Sequence, residues 1–210
     1  MEAFKVKEVK DFFARCETVF ADEKEALITL DSKVGDSDLG LTMAKGFAAA
    51  NAVVQESEAE TVDALFKQAG AAIARAAPST MGTLMATGFL RGASAVSGSD
   101  TLGTKEIAAF WTAFRDGVAH RGRAVVGDKT VLDVLHPVAV AITEQSDAGA
   151  SLDVALLKAA EVAREALEAT KSMVAQHGKA AAFQEQTIGI QDAGSTVAVY
   201  LIATMADTAA

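Results

Sequence analysis

The sequence is poor in cysteine, proline and aromatic residues: its 210 residues include one Cys, two Pro and a 6% share of Phe, Trp and Tyr. A lone cysteine, Cys16, excludes an internal disulfide and is typical of a reducing compartment. Because 50% of the residues are hydrophobic but few are aromatic, we expect a core made mainly of Ala, Val, Leu and Ile. Alanine-rich helices that approach one another closely would form such a core.

Long apolar runs and clusters of positive charge are also missing. No stretch reaches the roughly 18 charge-free apolar residues of a membrane-spanning helix. The first 13 residues, MEAFKVKEVKDFF, mix charged and apolar side chains where a signal peptide has an uninterrupted apolar segment. The net charge is −9, and no Lys/Arg cluster is dense enough to follow a nucleic-acid backbone. We therefore expect a cytoplasmic protein that binds neither membrane nor nucleic acid.

Apolar residues recur every three or four positions along most of the chain, which predicts amphipathic helices. Residues 196–202, TVAVYLI, are rich in β-branched side chains, but their length and their Ala-rich continuation suit a buried helix as well. No linker or repeat divides the chain, so we predict one all-α domain over residues 1–210, with about eight or nine antiparallel helices. The predicted helices span residues 4–20, 23–32, 39–55, 61–76, 80–97, 104–121, 131–145, 151–174 and 193–208.

Four loops carry glycines and polar residues that the helices lack. They are residues 35–40 (GDSDLG), 77–83 (APSTMGT), 121–133 (RGRAVVGDKTVLD) and 188–196 (IGIQDAGST). Two predicted helices separate each loop from the next. Since two antiparallel helices return the chain to the end from which it started, we predict that all four loops meet at one end of the bundle.

The first of these loops follows an apolar run and places three carboxylates, Asp31, Asp36 and Asp38, within eight residues. Such clusters are often only solvated turns. Three carboxylates held between two buried segments, however, repel one another unless a cation neutralises them. The helix starts that follow the other loops offer free backbone N–H groups, which bind phosphate. Together these features predict a magnesium-dependent site for a nucleotide polyphosphate.

Four motifs, taken together, resemble a known family. They are DSKVGDSDLG (31–40), FRDGV (114–118), RGRAVVGDKTVLDV (121–134) and TIGIQDAGST (187–196). With them the chain resembles, nearly end to end, the nucleotide-binding L subunit of bacterial dihydroxyacetone kinase and the equivalent domain of the single-chain kinases. The resemblance implies a closed barrel of eight amphipathic helices that holds ADP or ATP at one end through two magnesium ions.

The resemblance also implies which residues form the site. The metal ligands would be Asp31, Asp36 and Asp38, with Val131 under the adenine and Lys179 near the phosphates or the ribose. No residue is expected to be a base or nucleophile for a sugar. The residues expected to contact the nucleotide are Leu39, Gly40, Leu41, Thr42, Thr80, Met81, Gly122, Val131, Lys179, Asp192, Ala193 and Gly194.

A subunit of this kind would present a phosphoryl group to a short ketose held on a separate, substrate-binding K-type subunit. The family includes forms that take the phosphoryl group from ATP and forms that depend on a phosphotransferase-system phosphocarrier subunit. Three positions depart from the family pattern: Leu39 replaces a His, Met81 replaces a hydroxyl residue and Lys179 replaces an Arg. Leu cannot donate a hydrogen bond and Lys cannot form a bidentate one. A different ketose, such as a tetrulose, a non-catalytic regulatory or partner-binding relative, and a metal-dependent phosphatase remain alternatives.

Other polar residues give weaker signals. Lys129 lies in a GDKT turn, but the glycines before it lack the spacing of a phosphate-binding P-loop. Asp128 and Asp133 flank this lysine and could orient it. The histidines lack the spacing of a zinc site, and we expect each to be structural or exposed; they are His120, His136 and His177.

Overall fold

The computed structural model describes all residues from 1 to 210 and contains nine α-helices and no β-sheet. Two short 3₁₀ helices, Thr170–Ser172 and Ala180–Thr187, lie between the last two α-helices. The α-helices are α1 (Val6–Asp22), α2 (Lys24–Asp31), α3 (Leu39–Glu56), α4 (Val62–Ala76), α5 (Thr80–Ala95), α6 (Thr104–Gly122), α7 (Leu132–Asp147), α8 (Leu152–Ala169) and α9 (Ala193–Ala209).

Eight of these helices form a closed ring. From α3 to α9 each helix packs against the next one along the chain, and α1 closes the ring by packing between α9 and α3. The short helix α2 lies outside this succession and packs mainly on α3. The predicted all-α fold is therefore confirmed, and the arrangement is a barrel of eight antiparallel helices.

The core is made mainly of aliphatic side chains, as expected, and the few aromatic residues gather in one cluster inside the barrel. The rings of Phe66 and Phe110 lie 4.6 Å apart, and those of Phe89 and Phe114 lie 5.2 Å apart. All four side chains are buried. A ring of eight helices encloses more volume than Ala and Val can fill, so the few aromatic residues of the chain gather along its axis.

The helix boundaries follow the predictions to within about two residues, with one exception. Helix α8 ends at Ala169 and gives way to a 3₁₀ turn, so the predicted helix to residue 174 is too long. The β-branched run 196–202 lies inside α9, as its length suggested. None of the helices contains an apolar stretch of the length that spanning a membrane requires.

Candidate metal and nucleotide site

The four polar loops open into one cavity of about 240 Å³ at a single end of the barrel. The even number of helices between successive loops therefore brings them together, as the sequence predicts. A fifth segment, residues 177–180, also lines the cavity. It belongs to residues 173–187, which we call the strap, between α8 and α9.

An acidic cluster lines one side of the cavity. Helix α2 ends at Asp31, and the loop to α3 folds back so that carboxylate oxygens of Asp31, Asp36 and Asp38 lie within 4.8 Å of one another. Asp31 Oδ2 accepts hydrogen bonds from the backbone N–H groups of Asp38 and Leu39, at 3.1 and 3.4 Å. A Cβ atom on Gly35 would overlap the Asp31 carboxylate, so only glycine allows this fold of the loop. The loop thus holds three acids in place.

The charges of the cluster oppose one another. Partial burial and, after it, the carboxylates of Asp36 and Asp31 raise the pKa of Asp38 above its usual value. One cation lies nearby, since Lys179 Nζ is 3.4 Å from Asp36 Oδ2. The cluster offers carboxylate oxygens and no nitrogen or sulfur donor, which is the ligand type that Mg²⁺ prefers. These residues therefore fit a magnesium site.

Two helix N-termini point into the same cavity. Ser79 caps α5 by accepting a hydrogen bond from Gly82 N at 3.1 Å, and Asp192 caps α9 by accepting one from Ser195 N at 2.6 Å. The first-turn N–H groups of each helix have no partner within that helix, and the helix dipole adds partial positive charge. Burial raises the pKa of Asp192 to about 6, although the Ser195 hydrogen bonds counteract it. Both helix starts can donate hydrogen bonds to phosphate oxygens.

An apolar wall completes the cavity. It is formed by Leu39, Met81, Leu84 and Val131. Leu39 and Val131 are buried, and Met81 packs against the start of α9 at Gly194. An apolar wall beside convergent polar groups is the usual architecture of a small-molecule site. It suits a planar base whose phosphates reach the helix starts and the acids.

The hydrogen bonds of the GDKT turn differ from those that we expected. Asp133 accepts hydrogen bonds from Gly127 N and Thr130 N, at 2.6 and 2.7 Å. Asp128 accepts one from Val125 N at 2.7 Å and pairs with His177 Nε2 at 2.9 Å. The idea that the two acids orient Lys129 is wrong, because short Asp side chains bond to the nearest N–H groups of their own turn.

Lys129 is instead buried, and its amine donates to the carbonyl oxygens of Met173 and Thr187, at 3.2 and 2.5 Å. His177 is likewise more than an exposed histidine, since it lines the cavity and pairs with Asp128. The histidine was overlooked because its partner lies 49 positions away in the chain, although it stands two residues before Lys179.

Most of the residues expected in the site line the cavity, but four do not. Gly40 packs on α2, where a Cβ atom would overlap the carbonyl oxygen of Lys24, and Leu41 is exposed to solvent. Thr42 lies on the following turn of α3, and Gly122 ends α6. Nucleotide contacts stay predictions for all of the expected residues, whether or not they line the cavity. The expected residues that line the cavity are Asp31, Asp36, Asp38, Leu39, Thr80, Met81, Val131, Lys179, Asp192, Ala193 and Gly194.

Sequence reasoning missed ten further lining residues. Most of them are sequence neighbours of an expected residue, so the motifs could have indicated them. Leu84 lies one helical turn after Thr80, so the helical spacing could have indicated it. The ten are Val34, Gly35, Ser79, Leu84, Lys129, Thr130, His177, Gly178, Ala180 and Gln191.

Similar proteins share both the sequence and the fold. The chain is 31% identical over 199 residues to the ADP-binding subunit DhaL of the PEP-dependent dihydroxyacetone kinase of Escherichia coli (strain K12), which covers 95% of each chain. It is 35% identical over 184 residues to the L-erythrulose 1-kinase of Mycolicibacterium smegmatis, covering 84% of this chain and 31% of that kinase.

A solved structure and a domain family agree with these relatives. The dihydroxyacetone kinase from C. freundii in complex with AMP-PNP and Mg²⁺ superposes with a TM-score of 0.75 at 20% identity. This match covers 99% of the chain but 34% of that kinase, so the chain spans about a third of the solved protein. Residues 33–207 match the DAK2 domain, and the chain therefore belongs to the DAK2 domain family.

Proposed function

We propose that this chain is the nucleotide-binding subunit of a dihydroxyacetone-type kinase, which holds ADP or ATP with Mg²⁺ and presents the phosphoryl group to a short ketose on a separate K-type subunit. The observation that carries the proposal is the cavity itself, where three carboxylates within 4.8 Å face two helix N-termini. Neither feature alone specifies a ligand. Side by side, they complement the two partners of a magnesium nucleotide, the cation and the phosphate.

Different residues of the cavity bind different parts of the magnesium nucleotide. Asp31, Asp36 and Asp38 hold two magnesium ions, which supply neutralisation of the phosphate charge. The N–H groups at the starts of α5 and α9 donate to the phosphate oxygens, and Val131 packs under the adenine. Positioning of this kind, with charge neutralisation, is most of what a protein contributes to phosphoryl transfer.

The lengths of the similar proteins support the role of a subunit. The Escherichia coli relative of matching length is named an ADP-binding subunit, whereas the erythrulose kinase is about three times longer. We propose that a second chain supplies the ketose site.

Exposed apolar side chains surround the cavity and offer a surface for that second chain. Val125 and Val126 are 66% and 52% exposed in the loop after α6, and Ile188 is 51% exposed where the strap ends. Leu41 adds a further 45% exposed side chain on the first turn of α3. Apolar residues around a polar cavity are typical of a docking surface.

The donor and the location follow as further proposals. Because the relative of matching length belongs to a PEP-dependent kinase, we propose that a phosphotransferase-system phosphocarrier subunit is a second partner. Cys16 is free and buried, as expected for the cytoplasm. We also propose that residues 1–210 form one domain, since Phe12 and Phe13 of α1 join the core although α1 precedes the matched residues 33–207.

The deciding experiment combines binding with transfer. In calorimetry the isolated chain should bind ADP and ATP with Mg²⁺ and lose both when the metal is chelated. With its K-type subunit and either ATP or the phosphocarrier subunit, it should phosphorylate dihydroxyacetone or erythrulose, and neither subunit alone should do so. Binding without transfer to any short ketose, from either donor, would favour the regulatory alternative. Nucleotide affinity that ignores Mg²⁺ would refute the proposal.

A further inference from the structure

The strap, residues 173–187, is fixed at its base and nearly free at its tip. At the base, Thr187 Oγ1 accepts a hydrogen bond from Ala175 N at 3.1 Å and donates one to Gln184 O at 2.6 Å. The tip carries Gly178, with a φ of 65°, and Lys179, whose side chain is 72% exposed and contacts only Asp36. The position of the tip over the cavity is therefore set from its base.

A single amine joins the two ends of this base. Lys129 Nζ donates to the carbonyl oxygen of Met173, where the strap begins, and to that of Thr187, where it ends. The two acceptors are 14 residues apart in the chain, so the amine closes the strap into a loop. The Thr187 side chain also bonds to Ala175 N, and just outside the strap Gly189 N donates to Lys171 O at 2.7 Å and Asp192 N donates to Thr170 Oγ1 at 3.1 Å. Among these links, the Lys129 amine is the one that bonds to both end residues of the strap.

The burial of Lys129 indicates that this bridge has a role beyond packing. The residue is 3% exposed and has a φ of 58°, in the left-handed region that lysine rarely adopts. Burial lowers the pKa of its amine and the charge of Asp192 counteracts this, while the hydrogen bonds of the amine go to two backbone carbonyls and not to a carboxylate. A buried cation whose hydrogen bonds go to neutral carbonyls, with no carboxylate in direct contact, destabilises a fold relative to an apolar side chain of similar size.

The turn that carries Lys129 is attached to the strap at two more points. Asp128 O accepts a hydrogen bond from Gln176 N at 3.0 Å, and the Asp128 carboxylate pairs with His177. These contacts hold the first half of the strap, up to the residue before Gly178. The GDKT turn thus holds the first half of the strap in place.

We propose that Lys129 is a positioning residue, which ties both ends of the strap and so places Lys179 over the acids and the phosphates of a bound nucleotide. Lys129 lines the cavity, but its amine donates to the two strap carbonyls, so it acts through the strap. The nucleotide half of this inference rests on the proposed function, whereas the strap half concerns the protein alone.

Limited proteolysis tests the strap half, because Lys179 is the single trypsin site between residues 173 and 187. In the absence of nucleotide, Lys129→Met should speed cleavage after Lys179 roughly tenfold or more, since two hydrogen bonds from a charged donor are lost. Lys67→Met is the matched control, because it removes a partly buried amine that pairs with Asp63 on α4. Cleavage after Lys179 should not change in this control.

Two results would overturn the strap half. One is an unchanged rate of cleavage after Lys179 in Lys129→Met, and the other is an equal rise of cleavage inside the helices, which reports global unfolding. If Lys129→Met does not fold, Thr187→Val replaces it, because it removes the hydroxyl that bonds to Ala175 N and Gln184 O. The same acceleration is expected, and its absence counts against the proposal.

A double-mutant cycle tests the nucleotide half. Lys129→Met and Lys179→Met should each weaken binding of ADP with Mg²⁺, and the double variant should be no weaker than the weaker single variant, because Lys129 acts through Lys179. Additive losses would overturn the inference, since a merely structural role predicts them. If the unmodified chain binds no ADP, the proposed function fails, and the cleavage experiment still decides whether Lys129 anchors the strap.

Discussion

Lys179 Nζ lies 3.4 Å from Asp36 Oδ2, so a cation from the strap faces one of the three acids. The two side chains are 72% and 47% exposed. An ion pair this open to water contributes little to stability, and it yields readily to a competing cation. The geometry therefore places a mobile positive charge where a metal and a phosphate would meet, and it does not close the acids off.

We first predict that Gly35→Ala weakens Mg²⁺ binding without unfolding the protein. The new methyl group would overlap the carboxylate and the carbonyl of Asp31, so the loop must move and the three acids separate. The affinity for ADP with Mg²⁺ should fall roughly tenfold or more, as removal of a supporting interaction at a metal site does.

Gly103→Ala provides the matched control, because its new Cβ atom would lie 3.2 Å from a flexible Glu106 side chain, away from the site. Calorimetry compares the two variants, and circular dichroism checks their helicity. Unchanged metal affinity in Gly35→Ala would show that the acids do not act together.

A second prediction concerns the pH dependence of stability. The folded-state pKa of Asp192 is about 6, above the usual value of 3.8, and burial is the main cause. Between these two values the folded protein binds more protons than the unfolded chain. The contribution of Asp192 is therefore fully present below about pH 4 and is lost as the pH rises through about 6.

Asp192→Asn removes this pH dependence and keeps an oxygen that can accept from Ser195 N. Relative to the unmodified chain, the variant should gain about 1–2 kcal/mol in free energy of unfolding between pH 4 and pH 7. Urea unfolding at both values measures it, with no nucleotide present. A constant difference at both pH values would contradict the shifted pKa.

The packing around Gly88 gives a third prediction. A Cβ atom on this residue of α5 would lie 2.5 Å from the Phe114 ring, in a core where rings fill the barrel axis. Gly88→Ala should therefore destabilise the protein by about 1–3 kcal/mol, because overpacking forces the ring or the helix to shift. Ser94→Ala, at an exposed site of the same helix, should change stability far less. Thermal unfolding of both variants decides the matter.

Features of the structure that depend on residues close together in the sequence could be predicted, and features that depend on distant residues could not. Helical periodicity and the even number of helices between loops were enough to bring Asp38, Met81 and Asp192 to one cavity, because both depend on short-range pattern and chain order. The strap carries no such periodicity. Its place depends on contacts such as Lys129 with Thr187, 58 positions apart, which no local pattern reveals.

The aromatic cluster illustrates the same limit. Composition counts residues but does not say where they gather, and the Phe side chains of α1, α4, α5 and α6 meet only once the ring has closed. The roles of Asp128 and Asp133 were likewise misjudged, because adjacency to Lys129 in sequence suggested contact. Turn geometry directs both carboxylates to backbone N–H groups instead.

The last prediction concerns the exposed apolar residues beside the cavity. Val125→Asp should weaken association with the K-type subunit about tenfold or more, because a charge placed in the buried part of an interface must lose its water. It should leave the affinity for ADP with Mg²⁺ unchanged, since Val125 does not line the cavity. Leu157→Asp is the control, since Leu157 is 58% exposed on α8 and lies outside the cavity lining. Association is measured by biolayer interferometry and ADP binding by calorimetry. Equal losses of association in both variants would show that the partner does not dock around the cavity, and a loss of ADP affinity in Val125→Asp would show that the loop serves the nucleotide instead.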